Sequence, residues 1–196
     1  MRIVGGSLRG RRLRAPAGMR VRPTGELVRE ALFDILLHGG MARPLDGARV
    51  VDLFAGTGAL GLEALSRGAA ALTAVESEAD VRGVLRANIE ALGCADRATA
   101  IAADATRLPA AAATCHLALL DPPYRSGLAA PALGALVEGG WLDDQATIVV
   151  EHGVDDPFEP PAALTAQDRR RYGRTALTFL SPKPEPAQSP AGGPPP

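Results

Sequence analysis

Asp121-Pro122-Pro123-Tyr124 places a carboxylate, two backbone units without an N–H and an aromatic ring in four consecutive residues. Prolines fix the backbone and remove donors, so the stretch offers acceptors: the Asp121 carboxylate and outward-facing main-chain carbonyls. Acceptors beside a ring suit a planar group that carries an exocyclic amine. Such an amine is a poor nucleophile, because its lone pair is delocalised into the base. Two acceptors on its hydrogens pull it out of plane and concentrate the lone pair on nitrogen. Tyr124 can stack on the base, a contact worth roughly 1–3 kcal/mol. A proline-stiffened loop with a helix-capping aspartate would use the same residues without chemistry; the glycine loop upstream weighs against that.

Gly56-Thr57-Gly58-Ala59-Leu60-Gly61 matches G-x-G-x-x-G, and Glu76 follows twenty residues after Gly56. On paper this is the dinucleotide fingerprint, although a bare motif also fits a structural strand–helix turn. Gly56 permits a tight turn, and Gly58 lets a ligand approach the backbone at the helix N-terminus. Glu76, at the tip of the next strand, can accept hydrogen bonds from two ribose hydroxyls. Three features turn the reading away from a nicotinamide cofactor. Asp52, four residues before Gly56, puts negative charge where a pyrophosphate would need none. An arm and a helix precede the strand. The one lysine, Lys183, lies in the tail, so no Tyr-x-x-x-Lys hydride-transfer pair exists. S-adenosylmethionine fits: it has an amino group, a sulfonium, a ribose and an adenine, and no phosphate. Asp104 can accept from the adenine amine, though an aspartate after a strand also caps helices. Asp52, Glu76, Asp104 and Asp121 all follow parallel strands, the end at which open α/β sheets bind ligands. The donor is a consumed co-substrate. No metal is expected, because the leaving group is already cationic sulfur.

The elements that must hold these residues alternate in type. Residues 49–54, 71–76, 99–103, 117–120 and 146–151 read as short apolar strands, and residues 58–67, 77–93 and 128–137 as helices between them. That alternation implies a parallel sheet covered on both faces. Ser77 and Asp80 resemble a capping box. Strands around Tyr172-Gly173, the second over 175–180, suggest an antiparallel edge hairpin. Before the sheet, Thr24 is a candidate N-cap of a helix that Gly39-Gly40 ends. Leu27, Val28, Ala31, Leu32, Ile35 and Leu36 share one face of it, and Glu26, Arg29, Glu30 and Asp34 the other. Residues 1–22 read as a basic hairpin arm with glycine turns. Residues 182–196 hold seven of the 17 prolines and no large apolar side chain, and read as a disordered tail.

With 196 residues, 46% hydrophobic and 22% charged, the chain reads as one self-supporting globular domain. Two cysteines are too few for a disulfide framework or a four-cysteine zinc site. No apolar run is long enough to span a membrane, and the basic N-terminus lacks the apolar segment of a signal peptide. A cytoplasmic monomer is the default. The net charge of −1 conceals an asymmetry: residues 1–30 carry eight arginines against two glutamates. A basic arm on an acidic body suggests a polyanionic partner. Arg9, Arg11, Arg12 and Arg14 are its candidate phosphate contacts.

Asp52-x-x-x-Gly56-x-Gly58 with Asp121-Pro122-Pro123-Tyr124 resembles the S-adenosylmethionine-dependent methyltransferases that act on exocyclic amines. Met1-Arg2-Ile3-Val4-Gly5-Gly6, Arg22-Pro23-Thr24, Val28-Arg29-Glu30-Ala31-Leu32-Phe33 and the Tyr172-Gly173 hairpin narrow this. They are similar to the bacterial enzymes that methylate guanine N2 in small-subunit (16S) ribosomal RNA, the guanine-966 family. The resemblance covers residues 1–181. It departs at Gly25-Glu26-Leu27 and in the proline-rich tail. It implies a Rossmann-like class I methyltransferase fold, with a seven-stranded, mostly parallel sheet over residues 23–181. It assigns the donor site to Asp52, Gly56, Gly58, Glu76 and Asp104, and catalysis to Asp121, Pro122, Pro123 and Tyr124. The implied partner is 16S ribosomal RNA, free or within the assembling small subunit. The rival readings are a DNA adenine-N6 methyltransferase, which usually needs a larger recognition insert, and a protein glutamine methyltransferase, whose tetrapeptide usually begins with Asn. A non-catalytic RNA-binding assembly factor is the third.

Overall fold

The computed structural model describes residues 1–16, 23–39 and 45–184, apart from the side chains of Pro23 and Thr24. The end of the arm (17–22), Gly40 and the tail beyond residue 184 lie outside the described residues.

Seven strands form one sheet: β1 (Arg49–Leu53), β2 (Ala71–Val75), β3 (Ala98–Ile101), β4 (Cys115–Leu120), β5 (Leu142–Gly153), β6 (Leu164–Tyr172) and β7 (Thr175–Pro182). Their spatial order is β3-β2-β1-β4-β5-β7-β6. The first five are parallel, and β7 pairs antiparallel with both β5 and β6. The parallel sheet and its antiparallel edge hairpin therefore stand as expected. The helices are α1 (Pro23–His38), α2 (Ala59–Ser66), α3 (Ala79–Ala91) and α4 (Ala129–Glu138).

Strand side chains alternate between faces, and here both faces are buried. Val50, Leu117, Leu119 and Val149 join an apolar cluster with residues of α1, α2 and α3. Their neighbours Val51, Ala118, Ile148 and Val150 join a second cluster with α4. This explains why Leu117 to Leu120 of β4 read as an unbroken apolar run, and β1 as one interrupted only at Asp52 after Arg49. Asp52 breaks the run between Val51 and Leu53, so the pleat turns it toward α2.

Several local expectations change. α1 begins at Pro23, which places Thr24 inside the first turn instead of at the cap. Leu27 is 68% exposed and leaves the apolar face, whereas Arg29, read on the polar face, is 5% exposed. The Ser77–Asp80 capping box does not form: α3 starts at Ala79, and its N-cap Glu78 makes no side-chain cap bond. β5 starts at Leu142, four residues early, because Asp143, Asp144 and Gln145 extend it in a polar stretch. β7 runs on through Pro182, which pairs with Leu164, so the start assigned to the tail is strand.

The arm is a docked element. A single bridge, Arg2↔Arg12, joins its two halves. Ile3 and Leu13 are buried. The Val4 and Gly5 N–H groups both donate to the Glu63 carboxylate at 2.7 Å, and the Ser7 and Leu8 N–H groups donate to Ser66. Among the described residues no helix is long and apolar enough to cross a membrane.

Candidate active site

The order β2-β1-β4-β5 contains the point where the strand order reverses, between the parallel neighbours β1 and β4. Open α/β sheets bind ligands in the crevice at such a switch point. The loop after β1 carries Gly56, and the loop after β4 carries Asp121 to Tyr124. A cavity of about 970 Å³ opens between them. Asp52, Gly56, Glu76, Asp104, Asp121, Pro122, Pro123 and Tyr124 all line it. Residues separated by up to 72 positions in sequence thus share one space.

Phe54 at φ 59°, Gly56 at 56° and Gly58 at 84° shape the β1–α2 turn. Gly58 has a different reason from the one expected. A Cβ there would meet Leu85 Cδ1 at 2.6 Å and Leu62 Cδ1 at 2.9 Å. Its missing side chain makes room for α2 and α3 to pack, and the residue is not among those lining the cavity. Gly61 likewise sits against β2, where a Cβ would lie 2.5 Å from Leu72 Cδ1.

Asp52 is 1% exposed, and its Oδ2 accepts the Gly61 N–H at 2.8 Å. Burial pushes its pKa up to about 7, against that hydrogen bond and with help from the nearby Glu76 charge. A buried acid near neutrality favours a cationic neighbour, because such a neighbour restores the charged form. Glu76 is more engaged than its strand-tip position suggested. Oε2 accepts the Gly56 N–H and Oε1 the Glu78 N–H, both at 2.9 Å. The carboxylate therefore ties the glycine loop to the β2–α3 loop, as well as facing the cavity. Asp104 sits three residues past β3, and its Oδ1 accepts from Thr106 N and Oγ1 at 2.8 Å each. Those bonds hold its pKa below the usual carboxylate value.

In the tetrapeptide, Pro122 is buried, while Asp121, Pro123 and Tyr124 are exposed to the cavity mouth. The Pro123 carbonyl closes a turn by accepting the Ser126 N–H at 3.2 Å, which uses one of its lone pairs. The Tyr124 hydroxyl lies 3.0 Å from Thr175 Oγ1 and donates to Glu151 Oε1 at 3.3 Å. Burial raises its pKa, so the phenol is neutral near pH 7. Arg125 follows at φ 59° and binds Asp155 and Asp156 beyond β5. The loop is thus fastened at both sides of the ring.

Arg29, Glu151 and, beside Arg29, Glu63 were not foreseen here. Arg29 lines the cavity, and its Nη2 donates to the Arg2 carbonyl at 2.7 Å. Its Nε lies 3.5 Å from Glu63 Oε2, an ion pair without hydrogen-bond geometry. Burial pulls its pKa down while Glu63 raises it. Glu151, at the carboxyl end of β5, also lines the cavity. A carboxylate at a fifth strand end was the available signal for it. A charged residue inside the apolar α2 was the signal for Glu63. Arg9, Arg11, Arg12 and Arg14 lie away from the cavity lining and are all exposed; Arg11 donates to the Ala91 carbonyl at 2.7 Å.

The profile of the family described as "Conserved hypothetical protein 95" matches residues 1–181. The chain is 41% identical over 157 residues to "Ribosomal RNA small subunit methyltransferase D" of Escherichia coli K12, covering 80% of this chain and 76% of that protein. It is 34% identical to "Putative rRNA methyltransferase YlbH" of Bacillus subtilis, covering 91% and 97% of the two chains. Among solved structures, "Putative methyltransferase yhhF from Escherichia coli" superposes with a TM-score of 0.78 at 34% identity, over 93% of this chain and 98% of that one.

Proposed function

This chain belongs to the family described as conserved hypothetical protein 95, and on that premise we propose that it methylates the N2 amine of a guanine in small-subunit ribosomal RNA, with S-adenosylmethionine as donor. The observation that carries the reading is the joining of two loops at the switch point. The glycine loop with Asp52 and Glu76 faces the same cavity as Asp121 and Tyr124. Relatives named as ribosomal RNA small-subunit methyltransferases support the RNA class.

The residues fit the donor. The cavity is strongly acidic: Glu26, Asp52, Glu76, Glu78, Asp104, Asp121 and Glu151 line it, with Arg29 the only arginine or lysine among the described lining residues. A phosphate-bearing cofactor would be repelled there, while a ligand with an ammonium and a sulfonium is attracted. Asp52 would hold the ammonium end, Glu76 the ribose diol and Asp104 the adenine amine. When bound, the donor supplies an electrophilic methyl on cationic sulfur.

The chain's own residues then do three things. Tyr124, its hydroxyl tied to Thr175 and Glu151, presents a ring fixed for stacking against a base turned out of the RNA. Asp121 accepts a hydrogen bond from the N2 amine and concentrates the nitrogen lone pair. As the N–CH₃ bond forms and the S–CH₃ bond breaks, nitrogen becomes cationic, and Asp121 takes the proton it sheds. Most of the acceleration comes from orientation and preorganised charge. The exposed arginines of the docked arm would meet phosphates outside the cavity.

Incubation with methyl-labelled S-adenosylmethionine and either ribosomal RNA, DNA or protein, followed by digestion, tests this. The expected product is N2-methylguanosine from small-subunit RNA. N6-methyladenine in DNA, a methylated protein, or no label would overturn the proposal.

A further inference from the structure

The β4–β5 register carries a second carboxylate to the side of Asp121. Leu119 pairs with Val149 and Leu120 with Val150; continuing that register one step past the end of β4 sets Asp121 opposite Glu151. Glu151 is still within β5, paired across to Leu177. Leu177 belongs to the core cluster that also takes in Val28, Leu32, Phe33 and Leu36 of α1. Glu151 Oε1 accepts from Tyr124 at 3.3 Å, and Asp121, Tyr124 and Glu151 line one cavity.

Adjacent strands lie about 4.8 Å apart, so their two carboxylates offer neighbouring acceptors. Guanine presents neighbouring donors along its Watson–Crick edge: the N2 amine and N1–H. Adenine presents an amine beside a bare N1 lone pair. A carboxylate is acceptor-only with about four lone-pair positions, so it can serve Tyr124 and a base together but cannot donate to an N1 lone pair. Resting on the guanine-N2 reading above, we infer that Glu151 is a specificity-determining residue: it accepts the N1–H of the target guanine while Asp121 accepts from the N2 amine. A purine with a lone pair at N1 meets Glu151 acceptor to acceptor, so no hydrogen bond forms between them, the kind of mismatch that rejects near-isosteres most strongly.

2-Aminopurine is the probe, because it keeps the C2 amine but carries a lone pair at N1. The methylated position is first mapped with wild-type protein. RNA is then prepared with guanine or 2-aminopurine there, and kcat/KM is measured on each. Wild type should prefer guanine by on the order of a hundredfold or more. Glu151→Gln brings an amide N–H that can donate to N1, so its preference should collapse at least tenfold, while the donor affinity changes far less. A wild type that methylates both RNAs equally well overturns the inference without any variant. So does a Glu151→Gln protein that methylates guanine with the wild-type preference. Failure of the underlying reading looks different: wild type would then place no methyl on guanine N2.

Discussion

The side-chain amide of Asn88 donates to the Thr57 carbonyl at 2.9 Å, tying α3 to the glycine loop. The same amide donates to the Arg14 carbonyl at 3.0 Å, and its oxygen accepts the Arg14 N–H at 2.8 Å. One buried side chain thus holds both the arm and the donor loop, the arm through its backbone alone. The exposed side chains of Arg9, Arg12 and Arg14 take no part in that tie, while Arg11 reaches the Ala91 carbonyl.

Replacing Arg9, Arg11, Arg12 and Arg14 together with alanine should therefore weaken RNA binding without loosening the donor site. Each lost phosphate contact should flatten the slope of log K against log salt by roughly 0.7–0.9. Asn88→Ala should do the reverse, lowering donor affinity as the loop loses its tie. Filter binding across a salt series, with calorimetric donor titration, separates the two. A quadruple variant with the wild-type salt slope would show that the arm is structural only.

Glu76→Ala should lower S-adenosylmethionine affinity about tenfold or more, each lost charge-assisted bond being worth roughly 1.5–3 kcal/mol. Because Glu76 also accepts from Gly56 and Glu78, thermal stability should fall too. Glu76→Gln should recover much of the stability, because its amide oxygen can still accept one of these bonds, but less of the affinity. Calorimetry and thermal unfolding check both halves. Unchanged donor affinity in Glu76→Ala would remove the ribose assignment.

Asp52 makes the donor site pH-sensitive. Its folded pKa of about 7 lies above its ordinary value of 3.8, so between those values the native state keeps a proton that the unfolded chain has lost. Stability from this group is complete at low pH, falls as pH rises through that window, and levels off above it. A bound ammonium favours the ionised form, so donor affinity should increase from pH 5.5 to pH 7. Asp52→Asn should flatten both profiles. Donor titrations at several pH values decide it, and a pH-dependence that survives in Asp52→Asn would place its origin elsewhere.

The parallel core was legible because Val50-Val51 and Leu117 to Leu120 are buried on both faces, and turns follow each strand. Asp52, Glu76, Asp104 and Asp121 were legible because each stands in or just past the end of a parallel strand, whereas Glu26, Glu78 and Glu151 were not read as part of the site. The polar start of β5 was not, since Asp143 and Asp144 carry no apolar signal and lie in the register shift between the Leu142 and Thr147 pairings with β4. Arg29 and Glu63 were missed for a related reason. Charged residues on helices are usually solvated, and here they are buried only because the arm folds back over α2 and supplies Val4 and Gly5 N–H groups. Gly58 was legible as a required glycine, but its cause, the packing of Leu62 and Leu85, depends in part on a residue of α3, 27 positions further along the chain.

The single-turnover rate of Asp121→Ala, with donor and RNA affinities measured separately, bears most directly on methyl transfer at the Asp121–Tyr124 loop. The bond from the amine to Asp121 strengthens as nitrogen becomes cationic, so it belongs more to the transition state than to the ground state. The rate should fall on the order of a hundredfold or more, while both affinities change far less. Tyr124→Phe, which keeps the ring face, should be mild beside Tyr124→Ala. An Asp121→Ala protein that transfers methyl at a near-normal rate would contradict the assignment and leave Asp121 as a loop residue without a part in the chemistry.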